Sequence, residues 1–93
     1  MADLDIWVKR KHITQGQRGS SRFCPIALAV EEQHPEVGYP TVAGYWISDR
    51  MTRAGKAWTL PEQALEFVRR FDGETPKREL KPFKFTAKER LRM

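Results

Sequence analysis

Thr59-Leu60-Pro61-Glu62-Gln63-Ala64-Leu65-Glu66-Phe67-Val68-Arg69-Arg70-Phe71-Asp72-Gly73 is the stretch on which the fold turns. Ala64, Leu65, Phe67, Val68 and Phe71 recur at three- and four-residue steps, which lays one apolar stripe along a helix. Thr59 with Glu62 three residues on reads as a capping box, and Pro61 suits the first turn. Glu62 and Glu66 near the start and Arg69 and Arg70 near the end complement the helix dipole. Gly73 predicts a left-handed stop. Such a helix needs an apolar surface to cover.

The flanking segments supply that surface. Upstream, Thr41 to Ser48 is rich in β-branched and aromatic residues and predicts a strand, with Asp49 to Gly55 as a hairpin loop and Lys56 to Thr59 returning. Downstream, Phe83, Phe85 and Ala87 alternate with polar residues, a half-buried strand. At the other end Leu4, Ile6 and Val8 alternate in the same way. Pro25 to Val30 is apolar on nearly every face and predicts a short buried helix, opened by proline and ended by His34-Pro35. Residues 9–22, with two glycines and three serine or threonine residues, read as a mobile basic loop. The order is β-α-β-β-α-β, and the expected fold is α+β: a small sandwich with two helices packed on one face of a mainly antiparallel sheet. A ferredoxin-like arrangement is the simplest topology for that order. A three-stranded sheet with a terminal strand detached is its competitor. Residues 1–87 form the expected single domain and 88–93 a frayed tail.

Ninety-three residues leave room for one core and exclude a multidomain enzyme. No apolar run approaches the roughly 20 residues of a membrane-spanning helix. Met1-Ala2-Asp3-Leu4-Asp5 is acidic where an export signal is basic, so a cytoplasmic protein is expected. One cysteine and two histidines exclude an internal disulfide and make no zinc-ligand pattern.

Charge is unevenly placed. The net charge is +5, and three segments carry the excess. Residues 9–22 hold Lys9, Arg10, Lys11, Arg18 and Arg22 and no acid; the predicted hairpin holds Arg50, Arg53 and Lys56 against Asp49; residues 76–93 are basic again. Such a field favours polyanions or acidic protein surfaces, with a merely solubilising excess as the alternative.

No motif argues for catalysis. Cys24, between Phe23 and Pro25 and before an apolar turn, reads as an inert core thiol. Glu31, Glu32, Glu62 and Glu66 sit where helix ends and solvated faces want acids. No catalytic residue, metal site or cofactor is expected. Aromatic residues are the better candidates for binding. With Leu4, Ile6 and Val8 turned inward, Trp7 points to the far side of the sheet; Trp58 is expected there too, with Tyr45 or Trp46 between them. An aromatic sheet face among basic loops stacks single-stranded bases in several small modules. Ile6-Trp7-Val8-Lys9 resembles the first-strand motif of RNA-recognition domains, but the third-strand counterpart is absent from Lys56-Ala57-Trp58-Thr59. The alternative is that these rings close a second small core or a dimer interface.

Two segments resemble a family of small proteins encoded by tailed bacteriophages and prophages. They are Arg22-x-Cys24-Pro25-Ile26-Ala27-Leu28-Ala29, preceded by His12-Ile13-x-x-Gly16, and Leu60-Pro61-x-x-Ala64-x-x-Phe67-x-x-x-Phe71-Asp72-x-x-x-Pro76, followed by Pro82-Phe83-x-Phe85. The resemblance implies a phage-encoded accessory protein in a bacterial cytoplasm, and no chemistry. Members often carry Cys-x-x-Cys-Pro; here Ser21 holds the first of those positions, so the resemblance implies no metal or redox role for this chain. The expected function is a non-enzymatic binding protein. Its partner is either nucleic acid, met by Lys9, Arg10, Lys11, Arg18, Arg22, Arg50, Arg53 and Lys56 with Trp7 and Trp58, or an acidic surface of a host or phage protein.

Overall fold

A computed structural model describes residues 3–49, 56–73 and 75–90. Strand β1 (Leu4–Val8) runs into a short helix α1 (Arg10–Gln15), then α2 (Pro25–Gln33). Strands β2 (Pro40–Ala43), β3 (Trp46–Asp49) and β4 (Ala57–Thr59) follow, then α3 (Glu62–Asp72), a 3-10 turn over Lys77–Glu79 and β5 (Phe83–Arg90). The five strands form one antiparallel sheet in the order β1-β5-β4-β3-β2. The α+β class holds. The topology is not ferredoxin-like, because β1 lies on an edge and its one neighbour is β5.

The buried helix explains the sheet's shape. In α2, Ile26, Ala27, Ala29 and Val30 are all fully buried. Helix α2 packs against both β1 and β2, which are the opposite edges of the sheet. Four strand spacings lay flat across about 19 Å, nearly twice a helix diameter, so the sheet must curl around α2 as a half-barrel. A helix surrounded in this way needs apolar residues on nearly every side, as Pro25 to Val30 supply, and its acids Glu31 and Glu32 come in the exposed last turn. Helix α3 closes against the start of β5, where the Phe67 ring lies 4.8 Å from that of Phe83. All three α-helices contribute to one core with the inward residues of the strands, among them Leu4, Ile6, Val8, Ile47 and Phe85.

Several local expectations are corrected. The segment 41–48 is not one strand but the β2–β3 hairpin, folded at Gly44-Tyr45 with Ala43 opposite Trp46. Gly44 has φ +61, the backbone that the first position of a two-residue II′ turn demands. Thr59 caps no helix: it pairs with Trp46 in the sheet, and α3 starts after Pro61 without a side-chain cap. Gly73 does end α3, but in an extended conformation rather than a left-handed one. Strand β5 continues through Arg90, beyond the expected limit at Ala87. Trp58 faces the core and is 5% exposed, so it is not a surface ring.

The edges of the sheet are guarded. The Gln33 side chain accepts from the Trp7 N–H at 2.9 Å and donates to the Trp7 carbonyl at 2.8 Å, standing in for a neighbouring strand. His34 Nε2 donates to the Asp5 carbonyl at 2.8 Å. At the far edge the Val42 N–H donates to the Ser21 carbonyl. Free edge groups invite another strand, and these contacts occupy them.

Phe71 on α3 is 1% exposed. Truncation to Ala is expected to cost about 3–5 kcal/mol, a large share of the roughly 5–14 kcal/mol available to a domain of this size. Urea unfolding of Phe71→Ala measures it. A midpoint indistinguishable from the parent would contradict the core assignment.

Candidate nucleic-acid interface

The basic segment 9–22 is not a mobile loop. Its first part is α1, which buries His12 and Ile13. The Lys9 N–H donates to His12 Nδ1 at 2.9 Å, closing the N-terminus of that helix. Arg10 donates to the carbonyls of Lys77 at 3.0 Å and Leu80 at 2.7 Å. Arg18 donates to the carbonyls of Gly73 at 2.5 Å and Thr75 at 2.8 Å, and the Gly19 N–H to Asp72 at 3.0 Å. Lys77 reaches back to the carbonyls of Thr14 and Gly16. Gly16 itself touches α2 so closely that a Cβ there would lie 2.7 Å from the Pro25 ring. These cations tie the segment to the chain between α3 and β5, across 55–70 residues of sequence.

Two further cations are paired with acids of α2. Lys11 bonds Glu32, and Arg22 bonds Glu31 at 2.5 Å while lying between the rings of Phe23 and Tyr39. Lys56 is exposed beside β4, whereas Arg50 and Arg53 lie outside the described residues. Of the expected phosphate contacts, Arg10, Lys11, Arg18 and Arg22 thus hold the fold together.

The open, convex face of the sheet has the opposite character. Each strand alternates, so the residues between the core positions all emerge on this side. On β1 this is Asp5 and Trp7; on β5, Lys84, Thr86, Lys88 and Arg90; on β4 and β3, Thr59 and Trp46. Trp7 is 45% exposed and Trp46 is 37% exposed. Cations lie over both rings. Lys9 Nζ is 4.8 Å and Lys84 Nζ 4.5 Å from the Trp7 ring centre, and the Arg90 guanidinium is 5.0 Å from that of Trp46. The acids here are Asp5, which accepts a hydrogen bond from the Thr86 hydroxyl at 2.7 Å, and Asp3, just before β1, which accepts from the Glu89 N–H at 3.0 Å. The cations Lys9, Lys84, Lys88 and Arg90 outnumber them.

Sequence reasoning found Trp7, left Trp46 as an alternative to Tyr45, and missed Lys84, Lys88 and Arg90. The β5 cations were legible as the polar half of the alternation in 83–90. The choice between Tyr45 and Trp46 stayed open because the hairpin was read as a single strand, which leaves the facing of its residues open.

Three further titratable groups, His12, Glu32 and Cys24, are bonded within the fold. His12 accepts at Nδ1, so its neutral ring carries the proton on Nε2 and donates it to Glu32 at 3.1 Å. With both nitrogens engaged it serves as no general base. Burial lowers its pKa below the ordinary 6.5, against the pull of Glu32. Lys11, with His12 assisting, holds the Glu32 carboxylate down to about 2. Burial pushes the Cys24 thiol up to about 11, and its Sγ accepts from the Ala27 N–H as the cap of α2. Among the described residues, no group of three or more His, Cys, Asp or Glu side chains is placed to hold a metal ion, and no helix is long and apolar enough to cross a membrane. No family model matches the chain, and comparisons with curated proteins and with solved structures find no match.

Two solution measurements follow from these groups. Cys24 should react with iodoacetamide at pH 7 far more slowly than in urea, because a thiol titrating near 11 supplies almost no thiolate; alkylation at the unfolded rate would contradict its burial. His12 has a lower pKa folded than unfolded, so its contribution is complete above about pH 6.5 and declines as pH falls from there towards the folded-state value. Glu32 adds a second loss between its ordinary 4.5 and about 2. The unfolding midpoint should therefore fall between pH 7 and pH 5, and less so in His12→Gln. An equal fall in both proteins would show that His12 is not the group responsible.

Proposed function

We propose that this protein is a non-enzymatic nucleic-acid-binding module whose ligand lies on the open face of the sheet, not along residues 10–22. The observation that carries this reading is the placement of Trp7 and Trp46 on one face, each beneath cations of β5 or its neighbour. Aromatic faces offer stacking surfaces to bases, and the ammonium and guanidinium groups beside them meet the flanking phosphates. Along β5, Lys88 and Arg90 are two residues apart and so about 7 Å apart, a spacing that suits successive phosphates of an open strand. Lys84 extends the same column toward Trp7. The arginines of the loop support this reading indirectly, because they build the fold that presents the face. An accessory role in a phage- or prophage-carrying bacterial cytoplasm belongs to the same proposal and rests on the likeness of residues 12–86 to that family.

A second reading, an adaptor or inhibitor docking on a host or phage protein, is favoured by a different feature. Phe23 and Tyr39 are exposed rings with Arg22 between them, a composition common at the anchors of protein interfaces.

Fluorescence anisotropy of a mixed-sequence oligonucleotide at rising salt separates the two. The parent should bind at low salt and weaken steeply as salt rises. Replacing Lys84, Lys88 and Arg90 with Gln should flatten the slope of log K against log salt by about two units, at roughly 0.7 per phosphate for a single strand. Arg18→Gln should instead lower the melting temperature and leave the slope unchanged. Absence of binding to DNA and RNA at low salt would overturn the proposal in favour of protein docking.

A further inference from the structure

The spacing of the two exposed tryptophans sets the form and length of the ligand. Trp7 is paired with Lys84 on β5, and Trp46 is level with Lys88 through Thr59. The rings are thus three strand spacings apart, about 14 Å, and four residues apart along β5, about 13 Å. The path between them over the sheet is about 19 Å. It crosses Thr86 and Thr59, both short and exposed side chains, so nothing tall interrupts it. Two acids lie near it, and both are held: Asp5 accepts from the Thr86 hydroxyl and Asp3 from the Glu89 N–H.

A duplex cannot use both rings. Its bases are stacked on one another with edges alone facing outward, and a convex protein surface meets it only at the phosphates. An unpaired strand presents its base faces once it is unstacked. In that form it advances about 6 Å per nucleotide, nearly twice the 3.4 Å rise of a stacked strand. Three such steps cover the path from Trp7 to Trp46.

We infer that the open face binds single-stranded nucleic acid of at least four nucleotides, laid across β5 with one base stacked on Trp7 and another, three or four nucleotides along, stacked on Trp46. This rests on the nucleic-acid reading above and adds the strandedness and the footprint. Lys84 and Lys9 move from the Trp7 ring to the phosphates on either side of its base, and Arg90 does the same at Trp46; all three are long, flexible side chains, so the exchange needs no backbone movement. The intervening bases have no ring to stack on, and the ligand is therefore recognised by length and flexibility rather than by base identity.

The test is a titration of the whole protein with dT3, dT6 and dT12, and with a stable duplex beside one of its own strands, followed by tryptophan fluorescence and anisotropy. We expect dT6 to bind at least tenfold more tightly than dT3, a much smaller gain from dT6 to dT12, and the single strand to outcompete its duplex. Trp7→Ala and Trp46→Ala should each lower the affinity for dT6 about tenfold and reduce the advantage over dT3, in line with the cost of losing one stacked base. Trp46→Phe should restore most of the loss, and unchanged melting temperatures keep the comparison fair. Binding that is salt-dependent but indifferent to both Ala substitutions, or equal for duplex and single strand, overturns this inference and leaves the nucleic-acid reading standing. Binding to no nucleic acid at all overturns both.

Discussion

Strand β5 holds the sheet together. It pairs on one side with β1, placing Ile6 opposite Phe85, and on the other with β4, placing Trp58 opposite Glu89. Without it the sheet would divide into an isolated β1 and a β2–β3–β4 meander. The pairing joins the first strand to the last, so it forms against the loop-closure entropy of nearly the whole chain. Its inward residues, Phe83, Phe85 and Ala87, provide the apolar surface that offsets this cost by covering α2 and α3. Its outward residues are Lys84, Thr86, Lys88 and Arg90. One strand therefore completes the core and sets the character of the open face.

The curl of the sheet follows from the same arrangement. Because α2 is enclosed between β1 and β2, the concave side is filled and the convex side is left to solvent. The chain's positive charge divides along this line. Arg10, Arg18 and Lys77 donate to backbone carbonyls of loops and helix ends, stitching α1 and the following segment to the residues between α3 and β5. Buried or half-buried carbonyls need such partners, and a long cationic side chain reaches them across a gap that a backbone cannot bridge. The cations of β5 are placed differently. Lys84 and Arg90 lie over aromatic rings at the surface, an arrangement that costs little to undo, and Lys88 is exposed between them.

Much of the fold was legible because it depends on apolar periodicity. The stripe Ala64, Phe67, Phe71, the alternations of 4–8 and 83–87, and the continuous apolar run of 25–30 each named an element and its buried side. What was not legible depends on contacts far apart in sequence. Nothing in Lys9 to Gln15 announces a helix; it exists because Ile13 and His12 find a buried place beside α2 and because Arg10 finds the carbonyls near Leu80. The same contacts turned a glycine- and serine-bearing segment from an expected mobile loop into a fixed one. For the candidate site, Trp7 could be oriented from its own strand, whereas Trp46 could not be until the turn at Gly44-Tyr45 was recognised. Gly44 at the first of two turn positions was the available signal.

The central claim is that ligand meets Trp7 and Trp46, with Lys9 beside Trp7, and spares both Trp58 and the basic residues 10–22. Heteronuclear NMR of the indole Nε1–H groups, with and without a short single-stranded oligonucleotide, tests it most directly, since the chain has three tryptophans and their side-chain signals report separately. The account predicts that the Trp7 and Trp46 indole signals shift on titration, together with the amides of Lys84 to Arg90, while the Trp58 indole and the amides of Gln17 to Ser21 stay in place. Shifts concentrated in residues 10–22, with the Trp7 and Trp46 indoles unmoved, would contradict it.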